Sequence, residues 1–436
     1  MLFRPHQLVL VFFISLLLAR WAGFSMVAAE DDRSVKIIHD TDLNADPKTG
    51  YGAFAWRPDS KAIAYVKWLS GRIGLLDVTT GHDFEIPDVQ MNGVKLLAWS
   101  ADGGMLALNS HTQLKIVRMS DYQVISTFDF FADNSQGSPR INQMAFAEDG
   151  RTLIFQNTND GGKLINKAPP HFVPVILYSY DIESRHLTPL VQSPFGERRT
   201  LSWPNSAEFQ RFDGKLYYTA MIQRSDELLK SGPRIVNHID YENTATPSTC
   251  FVYQIDDAGG ITSVRSMDFP EPGREVLDQS RDIFSCQYSP LANMLIVNRQ
   301  EPYHFDADPP IEISKLGRFN EIFDLGNSNR VATIGQTSGL ETNRFGLCSP
   351  HPTRKWCLTN SWSNPTKVVP PGASLAPGDK QFIRLWDMAR GLEIARLELS
   401  QTRPKTEPLL SPDGLSIAFR EASYSLPLFK IIVPKG

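Results

Sequence analysis

Apolar residues recur along this chain with a period of two, in short runs separated by polar turns, which is the pattern of half-buried strands. The first full unit is Phe54-Ala-Trp56, a turn through Pro58 and Asp59, the run Ala62-Ile63-Ala64-Tyr65, and Ile73-Gly-Leu-Leu76 closing on Asp77 before Gly81. The same order returns in Leu97-Ala-Trp99 with Asp102-Gly103, Met105-Leu106-Ala107-Leu108 and Leu114-Lys-Ile116-Val117, and again from Met144 to Asp181. Looser copies run through Phe212-Asp213-Gly214 to Asp256 and through Cys286-Gln-Tyr288-Ser289-Pro290 to Asp324. A sixth runs from Cys348-Ser349-Pro350 to Ile383-Arg-Leu385-Trp386-Asp387, and a seventh begins at Leu410-Ser411-Pro412-Asp413-Gly414. Each copy predicts antiparallel strands joined by tight turns, because Asp and Gly accept the conformations that turns require.

The seventh copy ends after Phe429-Lys-Ile431-Ile432, one strand short, whereas Val35-Lys-Ile37-Ile38 precedes the first copy with no partner of its own. Pairing the two ends removes an exposed sheet edge and closes a ring. The expected fold is therefore all-β: a seven-bladed β-propeller of four-stranded antiparallel blades, with the N-terminal strand completing the last blade. From about Val35 to Val433 the pattern resembles WD-repeat and TolB-like propellers, through the recurrent Asp-Gly turns and the Trp386-Asp387 dipeptide. Propellers of this kind serve many unrelated functions, so the resemblance implies the fold and not a ligand.

At the N-terminus, Arg4 precedes an apolar stretch from Leu8 to Ala19, and Val27-Ala28-Ala29 leads into acidic Glu30-Asp31-Asp32. This is the pattern of a cleaved secretory signal over residues 1–29, leaving residues 30–436 as one propeller domain in the periplasm or outside the cell. Membrane contact is expected only if that segment stays uncleaved as an anchor. Absence of any Asn-x-Ser/Thr glycosylation acceptor leans towards a bacterial periplasm. A net charge of −4 without a Lys/Arg run excludes the electrostatic footprint of a nucleic-acid binder.

Four cysteines are present. Cys348 stands where other copies have a large apolar residue, and Cys357 stands at the register read as that of Ala64, Ala107 and Ala418. The two flank one hairpin turn, so a cross-strand disulfide and a pair of buried thiols are both open to them. Cys250 and Cys286 lie on different repeats and are not expected to pair.

The aspartates that end strands, among them Asp77, Asp181, Asp256, Asp324 and Asp387, fit turn capping better than acid/base chemistry, since equivalent positions in successive blades lie far apart. Trp56, Trp99, Phe146 and Tyr288 share one register and are expected to pack between blades. No metalloprotease, nucleophile-elbow, phosphate-loop or dinucleotide motif occurs.

Surplus length gathers between the second and third strands of blades 3 to 6, approximately at 157–174, 223–249, 299–318 and 360–380. Equivalent connections leave a propeller on the same face, so these insertions predict a wall of loops there, a common form of binding face. Within it, residues 225–232 carry the start and stop signals of a short helix. The residues singled out for binding are His238, Asp240 and Glu242 in the fourth blade, Tyr303, His304, Asp306 and Asp308 in the fifth, and Trp362 in the sixth. No cofactor is required by the pattern, although converging imidazoles and carboxylates suit calcium or another divalent metal. The expectation is a monomeric, non-enzymatic scaffold docking a protein or peptide on this face. The rival is a lactonase-like or metal-dependent hydrolase with its site at the mouth of the central channel.

Overall fold

The computed structural model describes residues 34–44, 51–67, 69–110, 113–129, 141–157, 175–192, 200–201, 209–224, 235–236, 239–240, 248–269, 283–300, 318–335, 344–346, 348–363, 380–399, 408–420 and 425–434. They form seven four-stranded antiparallel blades arranged as a β-propeller, with no helix among them. Within each blade, neighbouring strands follow one another in sequence. The exception is blade 7, whose outermost strand is the N-terminal Lys36–Asn44. That strand runs antiparallel to Ser425–Ile432, setting Ile37 opposite Ile431 and Leu43 opposite Leu426, and the Lys430 ammonium pairs with Asp40 at 2.8 Å. The predicted ring closure is thus the observed one.

The core lies between blades rather than beneath a single sheet. Alternation along each second strand sends its side chains by turns to the preceding and the following blade. In blade 1, Ala64 and Val66 join Leu106, Leu108 and Trp99 of blade 2; in blade 2, Ala107 joins Phe146, Leu153 and Phe155 of blade 3. The first-strand aromatics fill these seams as expected: Trp56, Trp99, Phe146 and Tyr288 are all buried. Trp99 donates its indole N–H to the Ala55 carbonyl of blade 1 at 3.2 Å, and Trp56 donates to Leu409 of blade 7 at 3.4 Å.

Opposite the insertion-bearing side, the strand-ending carboxylates are occupied by backbone N–H groups. Asp77 accepts from Thr79 and Thr80, Asp387 from Ala389 and Arg390, and Asp256 from Ala258 and Gly260. Such bonds favour the ionised form and hold the Asp77 carboxyl below its usual range, chiefly through the Thr80 N–H. Asp102 is lowered first by the Ser100 hydroxyl, and Asp181 by Ser184.

Cys348 and Cys357 form a disulfide, fully buried in the seam between blades 5 and 6. The register expected for Cys357 needs correction by one residue. Cys357 lies opposite Pro350 as Ile63 lies opposite Trp56 and Leu106 opposite Trp99, so its equivalents are those large apolar residues and not the neighbouring alanines. A one-residue shift exchanges the two faces of a strand, which is why Cys357 points back towards blade 5.

Candidate functional site

In a blade whose four strands alternate in direction, the connection from second to third strand leaves on the same face as the link to the next blade. The second strands of blades 3 to 6 end on this face at Asn157, Arg224, Gln300 and Ser363, and the third strands resume at Val175, Ser248, Arg318 and Lys380. In blade 2 the same connection needs only residues 111 and 112. Extra chain therefore leaves the ring at one topological position in four successive blades.

Additional strands reinforce the bases of these excursions. Thr200–Leu201 pairs with Gln223 and Arg224, extending blade 4 beyond its first strand Phe209–Phe212. In blade 6, Arg344–Phe345 pairs with Ser361 and Trp362, while Arg344 also pairs in parallel with Arg318 of blade 5. Blades 5 and 6 are thereby stitched into one continuous sheet on the insertion-bearing face.

The innermost strands carry a repeated irregularity at this end. Val94 and Leu96 face Ser110 and Asn109, Ile141 and Gln143 face Asn157 and Gln156, and Ile283 and Ser285 face Arg299 and Asn298. Each leaves one residue over in the first strand. Such bulges re-aim side chains and bend the strand, and here they recur where the inner strands approach the channel mouth.

A second repeated feature goes beyond the expectations drawn from the sequence. Four residues after the start of each second strand, blade 1 has Val66 and blades 2 to 6 have Asn109, Gln156, Thr219, Asn298 and Asn360, while in blade 7 the same position, Arg420, lies just past the strand. The Asn, Gln and Thr side chains in this series are buried. Thr219 reaches the following blade directly, and Asn298 reaches it through Asn320 of its own blade. Thr219 accepts the backbone N–H of Tyr288 at 3.1 Å, and Asn298 donates to the Asn320 side chain at 3.1 Å. Asn320 in turn donates to the Gly346 carbonyl at 3.0 Å and accepts the Cys348 N–H at 3.3 Å. Others keep unpaired buried atoms, including Asn109 Oδ1, Gln156 Oε1 and Asn360 Oδ1, as do both amide atoms of Gln381 on the third strand of blade 6. The signal in the sequence is a polar residue closing each apolar run, which by itself reads as the start of a loop.

The third strands of blades 5 and 6 each carry a partly or fully buried ion pair. Glu321, 3% exposed, is paired by Arg299 and by Arg330 at 2.8 Å, and the Arg299 guanidinium lies 5.1 Å from the centre of the Phe269 ring of blade 4. Arg384 donates to the Ser361 hydroxyl at 2.8 Å and pairs with Glu393 at 2.7 Å. Among the described residues, no three His, Cys, Asp or Glu side chains are grouped to hold a metal ion.

Most residues singled out from the sequence lie outside the described residues: His238, Glu242, Tyr303, His304, Asp306 and Asp308, together with the helix expected over 225–232. Asp240 closes a small two-stranded hairpin opposite Ile235, within the blade 4 insertion. Trp362 belongs to the second strand of blade 6, paired with Gln381 and Arg344, and not to a projecting loop as expected. Strand pairing continues past Asn360 because Arg344–Phe345 supplies a partner on the inner side.

No protein-family model matches the chain, and no curated protein sequence matches it. Among solved structures, the fold is similar to that of hydrazine synthase from Kuenenia stuttgartiensis. The TM-score is 0.52 at 13% identity, over 94% of this chain and all of that one. At that identity the likeness is one of fold.

Proposed function

We propose that this protein is an exported, non-enzymatic propeller scaffold, of the WD-repeat or TolB-like kind, that docks a protein or peptide on its insertion-bearing face. The observation that carries the reading is the emergence of long connections at one topological position in blades 3 to 6, on bases stiffened by the added strands at 200–201 and 344–345. A rigid ring with elaborated loops on one side separates stability from recognition. Export is supported by the N-terminal segment and by the Cys348–Cys357 disulfide, since such bonds persist in oxidising compartments.

The test places a photo-crosslinking amino acid at Tyr303 or Trp362, and separately at the opposite-face turn residue Thr79, in protein expressed in its native cell. The expected result is one discrete adduct from the insertion positions and none from Thr79. That adduct should be lost when 301–317 is replaced by a short turn like that of blade 2, with the melting temperature unchanged. Equal labelling from both faces overturns the reading. So does stoichiometric divalent metal that is lost in a His304→Ala, Asp306→Ala double variant, which favours a hydrolase at the channel mouth.

A further inference from the structure

Cys250 and Cys286 lie on adjacent blades. Cys250 is in the third strand of blade 4, opposite Met221 and Met267, and Cys286 is in the first strand of blade 5, opposite Val297. Both are buried, at 0% and 1% exposure, in the apolar cluster that fills this seam with Met221, Val252, Met267 and Tyr288. The strands that carry them meet across the seam, where the Tyr288 N–H of blade 5 donates to Thr219 of blade 4, two residues from the Met221 that faces Cys250. Two cysteines buried in one apolar cluster between separate sheets, in a chain whose other two cysteines are already joined, have the placement of an unclosed cross-link.

We propose that in the exported protein Cys250 and Cys286 are joined by a second disulfide that fastens blade 4 to blade 5. These two blades carry the insertions over 225–247 and 301–317, so the bond holds the bases of neighbouring loops at a constant separation. The reaction is a thiol–disulfide exchange with a disulfide donor of the oxidising compartment. One cysteine thiolate attacks the donor and forms a mixed disulfide, and the second attacks that cysteine sulfur, releasing the donor as two thiols that have taken up two electrons and two protons. Timing follows from burial. Apolar surroundings push the Cys286 thiol well above its ordinary range, which withholds the thiolate once the seam has closed. The bond therefore forms while blade 5 is still docking on blade 4.

The inference rests on export, and the experiment separates the two. Full-length protein taken from the native compartment is denatured in excess alkylating reagent without reductant, digested, and mapped by mass spectrometry. The expected result is two linked peptide pairs, Cys348 with Cys357 and Cys250 with Cys286, each lighter by two hydrogens than its separate peptides. If Cys348–Cys357 is linked while Cys250 and Cys286 both carry the alkyl label, the proposal fails and export stands. Label on all four overturns both. A second arm uses protein folded in a reducing cytosol and then exposed to oxidised glutathione. Cys250 and Cys286 should stay unlinked there for as long as the ring is folded, and linkage as fast as in the unfolded chain overturns the stated order of events.

Discussion

His351 makes the protein's response to acid a quantitative test of its packing. Its ring is 2% exposed, edge-on to Trp356, and bridges two blades: Nε2 donates to the Gly414 carbonyl of blade 7 at 2.9 Å, while Nδ1 accepts the Thr353 N–H at 3.2 Å. Both contacts use the neutral imidazole, since protonation of Nδ1 would set two donors against each other. Burial is the largest cause of a pKa lowered from 6.5 to about 4; the Gly414 bond and Asp413 oppose the shift, and Arg354 reinforces it. Because the folded pKa lies below the unfolded one, the unfolded chain takes up a proton first as pH falls. The stability contributed by this group is complete above pH 6.5 and is lost between 6.5 and about 4. A shift of that size corresponds to about 3 kcal/mol. The assay is denaturant unfolding of the native chain and a His351→Gln variant at several pH values from 7.5 to 4. Other titrating groups cancel in the difference, which should shrink by about 3 kcal/mol across the window. Parallel profiles would refute the account of a buried, neutral, doubly bonded ring.

Gly414 has φ +73°, and a Cβ there would lie 2.1 Å from His351 Cε1; Gly414→Ala should therefore cost about 2–4 kcal/mol in unfolding measurements, and less when His351 is already Ala. A Cβ on Gly74 would lie 2.3 Å from the buried Tyr65 ring, which is held by its hydrogen bond to Asp83; Gly74→Ala should destabilise by about 1–3 kcal/mol on the same assay. Deleting residues 34–44 leaves Ser425–Ile432 as an open edge, so limited proteolysis should cut within 425–432 and the melting transition should fall and broaden. An equimolar peptide of those residues should restore protection, and an unchanged digest would contradict ring closure by the N-terminal strand.

Periodicity makes the blades legible because the same physical demand is repeated seven times, and a single ambiguous residue is outvoted by its equivalents. Closure is legible for a related reason: an unpaired strand at one end matches a missing strand at the other. Legibility fails where a feature occurs once. The short strands at 200–201 and 344–345 are too brief for any period, and without Arg344–Phe345 as a partner Trp362 reads as loop. Cys357 reads one residue out of register because its blade replaces the usual Asp-Gly turn with His351-Pro-Thr-Arg354, leaving no landmark for counting. The polar residues from Asn109 to Arg420 are visible, but a polar residue after an apolar run looks the same whether it ends a strand or seals a seam. The residues singled out in the insertions have no equivalents in other blades, so composition alone marks them.

Seven sheets of similar shape and similar greasiness pose a problem of identity, because apolar surfaces attract any neighbour that offers area. Burial alone would let a growing chain dock blade 6 where blade 5 belongs, the characteristic error of repeat proteins. The side chains of Thr219, Asn298 and Asn320 answer it locally: each bonds a particular group of the correct neighbour or hands the bond on to one, at Tyr288, Gly346 or Cys348. A wrong neighbour would leave those groups buried and unpaired, at about 1–3 kcal/mol apiece. These three side chains thus act as keys to the order of blades 4, 5 and 6, so that neighbours drawn together by unselective attraction end in their proper places.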